Sequence, residues 1–352
     1  MSPPKTFLSG VIEGFYGRPW PHETRLAYID YLSEAGLNTS LYCPKSDAIL
    51  RKQWRLDWPQ QQWRELVELA KAHHSRGLQW GVGLSPFELY RNYQRPEQEQ
   101  LRRKVGYIGE LGPSLLAVLF DDMPGDIDAL ARRQAEIVSD ISGWLPEVRV
   151  IVCPTYYSFD PVLPQYFGAM PQSYWPELGV ELPSDVEIFW TGNEVCSKEI
   201  AKADIEAINV QLGRSVTLWD NYPVNDGVQR SNFLYTSKLP GREPSIKPSL
   251  AGHLCNPMNQ GVLSLPALSG LAEMYGSGAY TQETLARFLG SQTWKCLSRD
   301  GGIFEQEGLS GMGEAKCRQL AESYSVLPGA AAAEITGWLQ GEYQFDPACL
   351  TG

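Results

Sequence analysis

Eight short apolar runs, separated by amphipathic segments, constrain the fold of this 352-residue chain more than any other feature of its sequence. In order they are FLSGVIEGFYG, TSLYCPKSD, LQWGVGLSP, LLAVLFDDM, VRVIVCPTYY, VEIFWTGNE, SVTLWDNYP and LAGHLCNPMN. Intervening segments such as QQWRELVELAKAHHSRG place apolar residues three and four positions apart and end at a glycine, which is typical of amphipathic helices. The alternation therefore predicts parallel strands with helices on their outside.

Eight strand and helix units over about 250 residues predict a (β/α)8 barrel of the TIM type. A doubly wound open sheet is the alternative, but the GxGxxG turn that binds phosphate in such folds is missing after the first run. We assign residues 1–290 to the barrel and residues 291–352 to a small C-terminal helical extension. Within the extension, residues 313–327 and 330–343 are predicted helices.

The charge of the chain excludes several classes of partner. A net charge of −11 and a pI near 5 oppose binding to nucleic acid or to an anionic membrane, both of which need clustered Lys and Arg. No stretch reaches the roughly 18 to 20 apolar residues of a membrane span. The first residues lack the basic and apolar regions of a signal peptide, so we expect a cytoplasmic protein.

Cysteine and histidine usage predicts neither a disulfide framework nor a metal site. The seven cysteines are scattered singly without a CxxC pair, and the chain has four histidines. This pattern indicates reduced thiols and leaves little material for a zinc centre. We expect no metal and no organic cofactor.

Carboxylates, amides, aromatic side chains, one lysine and one glycine follow the predicted strands, where barrels of this type carry their active sites. They are Glu13, Gly14, Phe15, Tyr16, Lys45, Asp47, Asp121, Asp122, Tyr156, Tyr157, Trp190, Trp219, Asp220, Asn221, Asp226, Asn256 and Asn259. No Ser-His-Asp or Cys-His set can be assembled from them. Amides and carboxylates bind sugar hydroxyls, aromatic faces stack on sugar rings, and paired carboxylates act on glycosidic bonds. The set therefore favours a glycosidase.

Adjacent Asp121 and Asp122 in FDDMPG are either a turn signal, since Asp, Pro and Gly favour turns, or a catalytic pair. Most glycosidases place their two carboxyls on opposite sides of the bond, which neighbouring residues do not naturally achieve. In substrate-assisted hydrolysis the 2-acetamido oxygen of the substrate is the nucleophile, and both carboxyls can lie on one strand end. Two carboxylates about 5 Å apart repel by roughly 3 kcal/mol, so one of them can stay protonated near neutral pH, as a general acid must.

The strand-end motifs resemble glycoside hydrolase family 84, which contains the β-N-acetylglucosaminidases known as O-GlcNAcases and some enzymes called hyaluronidases. The motifs are GVIEGFYGRPW, YCPKSD, LFDDMP, CPTYY, FWTGNEV, LWDNYPVND and CNPMN, in collinear order over about residues 7 to 260. One fragment alone would be weak, whereas the whole set is highly specific.

The resemblance implies that Asp121 polarises the acetamido group and stabilises an oxazoline, and that Asp122 is the general acid and then the base. Among the implied substrate-binding residues, Tyr157 and Asn221 would bond the acetamide, and Trp219 would wall the acetyl pocket. The implied substrate-binding set is Gly14 (through its backbone carbonyl), Lys45, Tyr157, Trp219, Asn221, Asp226 and Asn256.

The chain departs from the family pattern at three places near this set. Where this chain has Tyr156, the family more often has an acidic residue. Asn193 and Glu194 stand where a Pro and a charged residue are common, and the NYPVND loop differs internally. These positions bear on leaving-group preference more than on the reaction. The extension is also shorter than the helical regions of larger members, which implies reduced peptide-recognition surfaces.

We therefore predict a retaining exo-β-N-acetylglucosaminidase that acts on a GlcNAc-containing glycan or glycoprotein. Two alternatives stay open: a catalytically silent, lectin-like barrel that binds GlcNAc, and a conventional glycosidase that uses Glu13 or Glu187 opposite Asp122. At the level of single residues, Lys45 has the alternative of a solvated lysine paired with Asp47, which is the usual fate of lysine.

Overall fold

A computed structural model describes residues 5–276, 281–343 and 345–350. Eight strands pair in sequence order into a closed barrel, and every pair whose register is defined is parallel. The strands are β1 Leu8–Glu13, β2 Thr39–Tyr42, β3 Gln79–Leu84, β4 Leu115–Leu119, β5 Arg149–Cys153, β6 Glu187–Trp190, β7 Thr217–Asp220 and β8 Gly252–Cys255. Each strand lies within one of the eight apolar runs, so the prediction of a (β/α)8 barrel is confirmed.

The strands are apolar because both of their faces are covered. All six residues of β1 and all five of β4 are buried, which is usual for parallel strands that are packed on both sides. One close approach requires glycine: a Cβ on Gly10 would lie 1.9 Å from the carbonyl oxygen of Thr39, its partner on β2. The last residues of β4 and β5, Leu119 and Cys153, pair with each other.

Twelve α-helices connect and follow the strands within the described residues. They are α1 His22–Ala35, α2 Gln60–Ser75, α3 Arg95–Gly109, α4 Leu130–Trp144, α5 Val162–Phe167, α6 Tyr174–Glu181, α7 Lys202–Leu212, α8 Leu265–Tyr275, α9 Gln282–Leu289, α10 Ser291–Gln306, α11 Gly308–Ser325 and α12 Ala330–Leu339. Both predicted helices of the extension are present. Gly290, at a φ of 82°, separates α9 from α10, and Gly313, at a φ of 73°, kinks α11.

The chain divides into two compact units. Unit 1 runs up to Glu13 and includes Asn38–Asp220 and Gly241–Leu254. It holds the barrel strands, apart from the last residue of β8, and helices α2 to α7. Unit 2 comprises Gly14–Leu37, Asn221–Pro240 and the chain from Cys255 onward, with α1 and α8 to α12. The sequence-based boundary at residue 290 stays a prediction.

Unit 2 has its own packed interior. The rings of Tyr31 on α1 and Phe288 on α9 meet edge to face at 5.8 Å, and those of Phe304 on α10 and Trp338 on α12 at 5.2 Å. Glu334 on α12 accepts hydrogen bonds from the backbone N–H groups that precede α8, and burial raises the pKa of its carboxyl to about 7. Helices far apart in sequence are thereby tied together.

None of the helices in the described part of the chain is both long enough and apolar enough to cross a membrane.

Candidate active site

Asp121 and Asp122 lie in the turn that follows β4, and both side chains are largely buried. On a regular strand, neighbouring side chains point to opposite faces. Asp122 instead has a φ of 56°, in the left-handed region that residues other than glycine seldom adopt. The turn ends the strand and lets two adjacent carboxylates approach the same partner.

That partner is Lys45, which follows β2. Its ammonium group donates a hydrogen bond to Asp121 Oδ2 and lies 3.9 Å from Asp122 Oδ2. The side chains of Lys45, Asp121 and Asp122 are 4, 7 and 8% exposed. The alternative in which Lys45 is a solvated lysine paired with Asp47 is therefore wrong.

Asp47 has a different task, which is to fix the loop after β2. Its carboxylate accepts hydrogen bonds from the Tyr42 hydroxyl at 2.9 Å, Trp58 Nε1 at 2.9 Å and Gln62 Nε2 at 2.8 Å. The backbone N–H of Ile49 also donates to it. This network orders the segment that presents the buried lysine.

The electrostatics of the pair follow from burial and from the lysine. Burial raises the pKa of the Asp121 carboxyl above its ordinary value; the Lys45 ammonium opposes that shift, and the Asp122 carboxylate adds to it. The Lys45 ammonium is disfavoured by burial, but the two carboxylates outweigh this and raise its pKa. Asp121 Oδ1 is buried and has no hydrogen-bond partner among the described residues, so it can accept one from a ligand.

Two aromatic residues of unit 1 contact this group. The Tyr157 hydroxyl donates to Asp122 Oδ1 at 3.3 Å, and the Trp219 ring centroid lies 5.7 Å from Lys45 Nζ. Tyr156 is directed elsewhere, because its hydroxyl donates to the carbonyl of Gly168. Five residues that the sequence predicted for the site thus form one cluster, called here the carboxylate cluster: Lys45, Asp121, Asp122, Tyr157 and Trp219.

The other four predicted site residues belong to unit 2 and form two hydrogen-bonded groups. In one, Gly14 N–H donates to Asn256 Oδ1 at 3.1 Å, and Asn256 Nδ2 donates to Asn221 Oδ1 at 3.0 Å. In the other, Asp226 Oδ2 accepts from Tyr16 N–H at 2.8 Å. Backbone N–H groups therefore hold the Asn256 amide and the Asp226 carboxylate in place.

A buried ion pair at the end of β7 was not predicted from the sequence. Arg242 donates hydrogen bonds to both carboxylate oxygens of Asp220, at 2.8 and 2.6 Å. It also donates to the carbonyls of Ser197 and Lys198. His253 Nε2 lies 3.0 Å from the same carboxylate. Both oxygens of Asp220 thus accept hydrogen bonds, and the ion pair supports the strand end. Arg242 lies in a loop without periodicity, so no local signal marks it.

The Asp220 pair is expected to matter for stability. Burial would raise the pKa of Asp220, but Arg242 and His253 outweigh it and lower the pKa to about 2. The stabilisation is therefore complete above about pH 4, the ordinary pKa of Asp, and is lost as the pH falls through about 2.

Asp220→Asn should lower the free energy of unfolding at pH 7 by about 3 to 5 kcal/mol, because it leaves the Arg242 guanidinium buried without a counter-charge. Denaturant unfolding measures this value. The matched control is Glu206→Gln, which breaks the exposed pair with Lys202 and should cost less than about 1 kcal/mol. Equal losses in the two variants would contradict the buried pair's role.

Glu187 does not suit a role opposite Asp122. It is the first residue of β6, at the amino end of the strand, where it bonds Arg149 Nε and the Thr217 hydroxyl. Asp122, by contrast, follows the carboxyl end of β4. Glu13, the last residue of β1, is buried at a carboxyl end.

Comparisons with known proteins identify the family. The family model described as "NAGidase: beta-N-acetylglucosaminidase" matches residues 9–287. The chain is 33% identical over 283 residues to the protein named Protein O-GlcNAcase of Rattus norvegicus and 32% identical to that of Mus musculus, matching 78% of this chain and 30% of each relative. It therefore spans less than a third of the length of these relatives.

A solved structure of similar fold is also named for activity on O-GlcNAc. A mutant of the O-GlcNAc hydrolase of Thermobaculum terrenum superposes with a TM-score of 0.77 and 27% identity, over 96% of this chain and 81% of that one. The family model covers most of the barrel, and the match to the rat protein exceeds 30% identity over more than two thirds of the chain. The resemblance seen in the strand-end motifs is thereby confirmed: the chain belongs to the β-N-acetylglucosaminidases of glycoside hydrolase family 84.

Proposed function

We propose that the chain is a retaining exo-β-N-acetylglucosaminidase that hydrolyses terminal β-linked GlcNAc through an oxazoline intermediate. The observation that carries this proposal is the pair of adjacent buried carboxylates, one of which, Asp121, has an oxygen without a hydrogen-bond partner among the described residues. An acceptor in that position suits the N–H of a 2-acetamido group, and accepting it makes the acetamide oxygen more nucleophilic.

In the first step, the acetamide oxygen attacks C1 of the sugar and the bond from C1 to the leaving oxygen breaks. Asp122 gives its proton to the leaving oxygen, and Asp121 stabilises the positive charge that develops on the acetamide. In the second step, the Asp122 carboxylate takes a proton from water, which attacks C1 and reopens the oxazoline. Two inversions at C1 give net retention, and one side chain acts first as acid and then as base.

The neighbouring side chains support this division of labour. Lys45 occupies Asp121 Oδ2, which directs the remaining oxygen toward a ligand and balances one negative charge of the pair. The Tyr157 hydroxyl, which reaches Asp122, is proposed to bond the acetamide or the intermediate. Trp219 is proposed to wall the acetyl pocket, since its ring lies beside Lys45.

The unit 2 residues are proposed to bind the sugar. Asn221 would bond the acetamide, Asp226 and Asn256 would bind hydroxyls, and Gly14 would contribute its backbone carbonyl. Their ordered hydrogen bonds support these roles, because a binding group that is already held in place loses less conformational freedom when the ligand arrives.

For the substrate, we propose a GlcNAc-containing glycoprotein or glycan. The relatives are named for O-GlcNAc, which favours a modified protein, but this chain matches less than a third of the mammalian ones. The net charge of −11 opposes nucleic acid as a partner. The proposed steps use only this chain's side chains and the substrate, so they call for no cofactor. A cytoplasmic location stays a prediction from the sequence.

Aryl β-GlcNAc substrates with progressively fluorinated N-acetyl groups test the mechanism. Because fluorine withdraws electrons from the acetamide oxygen, kcat/KM should fall at each step from acetyl to trifluoroacetyl. A rate that is insensitive to fluorination would instead support a conventional mechanism with Glu13 as nucleophile. Calorimetric binding of GlcNAc without hydrolysis of any substrate would establish the lectin-like alternative.

A further inference from the structure

The conformation of Asp122 needs support from its surroundings. A residue other than glycine in the left-handed region costs roughly 1 kcal/mol or more, so neighbouring structure must hold it there. The three residues after it, Met123, Pro124 and Gly125, complete the turn. This segment, Asp122 to Gly125, is called here the catalytic turn.

One side of the catalytic turn is held by the loop after β3. The Tyr90 hydroxyl donates a hydrogen bond to the carbonyl oxygen of Pro124, and Tyr90 itself is fully buried. The backbone N–H of Glu88 lies 3.5 Å from the sulfur of Met123, whose side chain is also fully buried. The loop therefore reaches both the backbone and a side chain of the turn.

The other side is held by the segment after β5. Gly125 N–H donates to the carbonyl of Phe167 at 2.6 Å, and the Tyr156 hydroxyl donates to the next carbonyl, that of Gly168, at 2.6 Å. Tyr156 also lies against Gly125 so closely that a Cβ there would be 2.3 Å from the hydroxyl oxygen. The position thus requires glycine, and the phenol fixes the distance between the turn and α5.

Adjacent tyrosines consequently divide two tasks. The hydroxyl of Tyr157 donates to Asp122 itself, whereas Tyr156 packs against Gly125 of the catalytic turn and donates to Gly168. The ring of Tyr156 is braced edge to face by Tyr174 at 5.1 Å. Burial raises the pKa of Tyr156 to about 12, so its hydroxyl stays a donor throughout the neutral range.

We propose that Tyr90 and Tyr156 are positioning residues that clamp the catalytic turn from two sides and so hold the Asp122 carboxyl in the orientation for proton transfer. This inference rests on the proposed function, since it assumes that Asp122 is the general acid. Neither tyrosine needs to touch the sugar for the clamp to operate. Loss of either hydroxyl should misplace the acid without removing it.

Tyr90→Phe and Tyr156→Phe test the clamp, because each keeps the ring and removes only the hydroxyl. We expect each to lower kcat/KM for a β-GlcNAc substrate with a poor leaving group about tenfold, the equivalent of one hydrogen bond, with KM nearly unchanged. A substrate with an activated leaving group should be affected far less, since it needs little help from the acid.

The matched control is Tyr93→Phe. Tyr93 lies near Tyr90 in the chain, is also buried, and its hydroxyl donates a hydrogen bond to Asp140 on α4 rather than to the catalytic turn. Tyr93→Phe should lower the melting temperature as much as Tyr90→Phe does, but it should not change the dependence of kcat/KM on the leaving group. Gly125→Ala, which pushes the turn away from Tyr156, should reproduce the leaving-group signature by an independent route.

The outcomes separate the clamp from the proposed function. If the unaltered protein hydrolyses aryl β-GlcNAc but Tyr90→Phe, Tyr156→Phe and Gly125→Ala keep its leaving-group dependence, the clamp is wrong while the proposed function stands. If the unaltered protein hydrolyses none of these substrates, the proposed function itself fails. Selective loss on poor leaving groups in the three variants, but not in Tyr93→Phe, supports the clamp.

Discussion

Asp122→Asn is expected to lower kcat/KM by about 10² to 10⁴ on β-GlcNAc substrates with poor leaving groups, the usual contribution of a general acid. An alkoxide or a basic phenolate cannot depart without a proton, and the asparagine amide cannot supply one at neutral pH. An activated aryl leaving group departs as a stable anion, so its kcat/KM should change little. Plotting log kcat/KM against the pKa of the leaving group measures the difference as a steeper slope.

The choice of kcat/KM matters because Asp122 is proposed to act twice. This quantity reports only the steps up to departure of the leaving group, whereas kcat also contains the attack of water, in which Asp122 acts as base. Asp128→Asn is the matched control: it makes the same charge change six residues further on, at an exposed position, and should keep the slope of the unaltered protein. An unchanged slope in Asp122→Asn would remove the acid role from this residue.

The barrel was predictable because its determinants are local. Each strand of a parallel sheet is buried on both faces, so it reads as a continuous apolar run that any window of the sequence displays, as LLAVL does in β4. The helices are likewise visible from their periodicity. Topology then places polar residues such as Asp121 and Lys45 at carboxyl ends of strands, which is why site residues could be proposed from position.

The sequence did not reveal how the site is held. The left-handed conformation of Asp122 depends on Tyr90 and Tyr156, which are 32 residues before it and 34 after it in the chain. The partner of Asp220 is Arg242, in a loop whose composition suggests only a solvated turn. Contacts of this kind are set by tertiary packing, and no local pattern encodes them.

The charge state of the pair also needed the structure. Repulsion between adjacent carboxylates predicted that one of them can stay protonated near neutral pH, but no local pattern placed a buried lysine against both. The Lys45 ammonium offsets part of the repulsion and so lowers the pKa of Asp121, whereas burial of Asp121 raises it. Burial, the Lys45 ammonium and the Asp122 carboxylate together leave the pKa of Asp121 above its ordinary value.

Asp121→Asn is expected to lower kcat/KM by about 10² to 10³ for activated and poor leaving groups alike, the size of effect seen when a group that stabilises transition-state charge is removed. An amide accepts the acetamide N–H without offsetting the positive charge of the forming oxazoline, and that charge develops whatever the leaving group is. In a plot of log kcat/KM against the pKa of the leaving group, we expect Asp121→Asn to give a line of the same slope as the unaltered protein, displaced to lower rates. A slope as steep as that of Asp122→Asn would show that the two roles are assigned to the wrong residues.

The pH dependence of kcat/KM provides a second test of the role proposed for Asp121, because the direction of the shift is predicted. Because the pKa of Asp121 is raised and the proposed mechanism needs its carboxylate, kcat/KM should fall on the acid side at a pH above the ordinary Asp value of about 3.9. Lys45 lowers that pKa, so Lys45→Met should move the acid limb to higher pH, whereas Lys45→Arg, which keeps the charge, should leave it nearly in place. An acid limb that moves to lower pH in Lys45→Met, or that does not move at all, would mean that the limb reports a group other than Asp121.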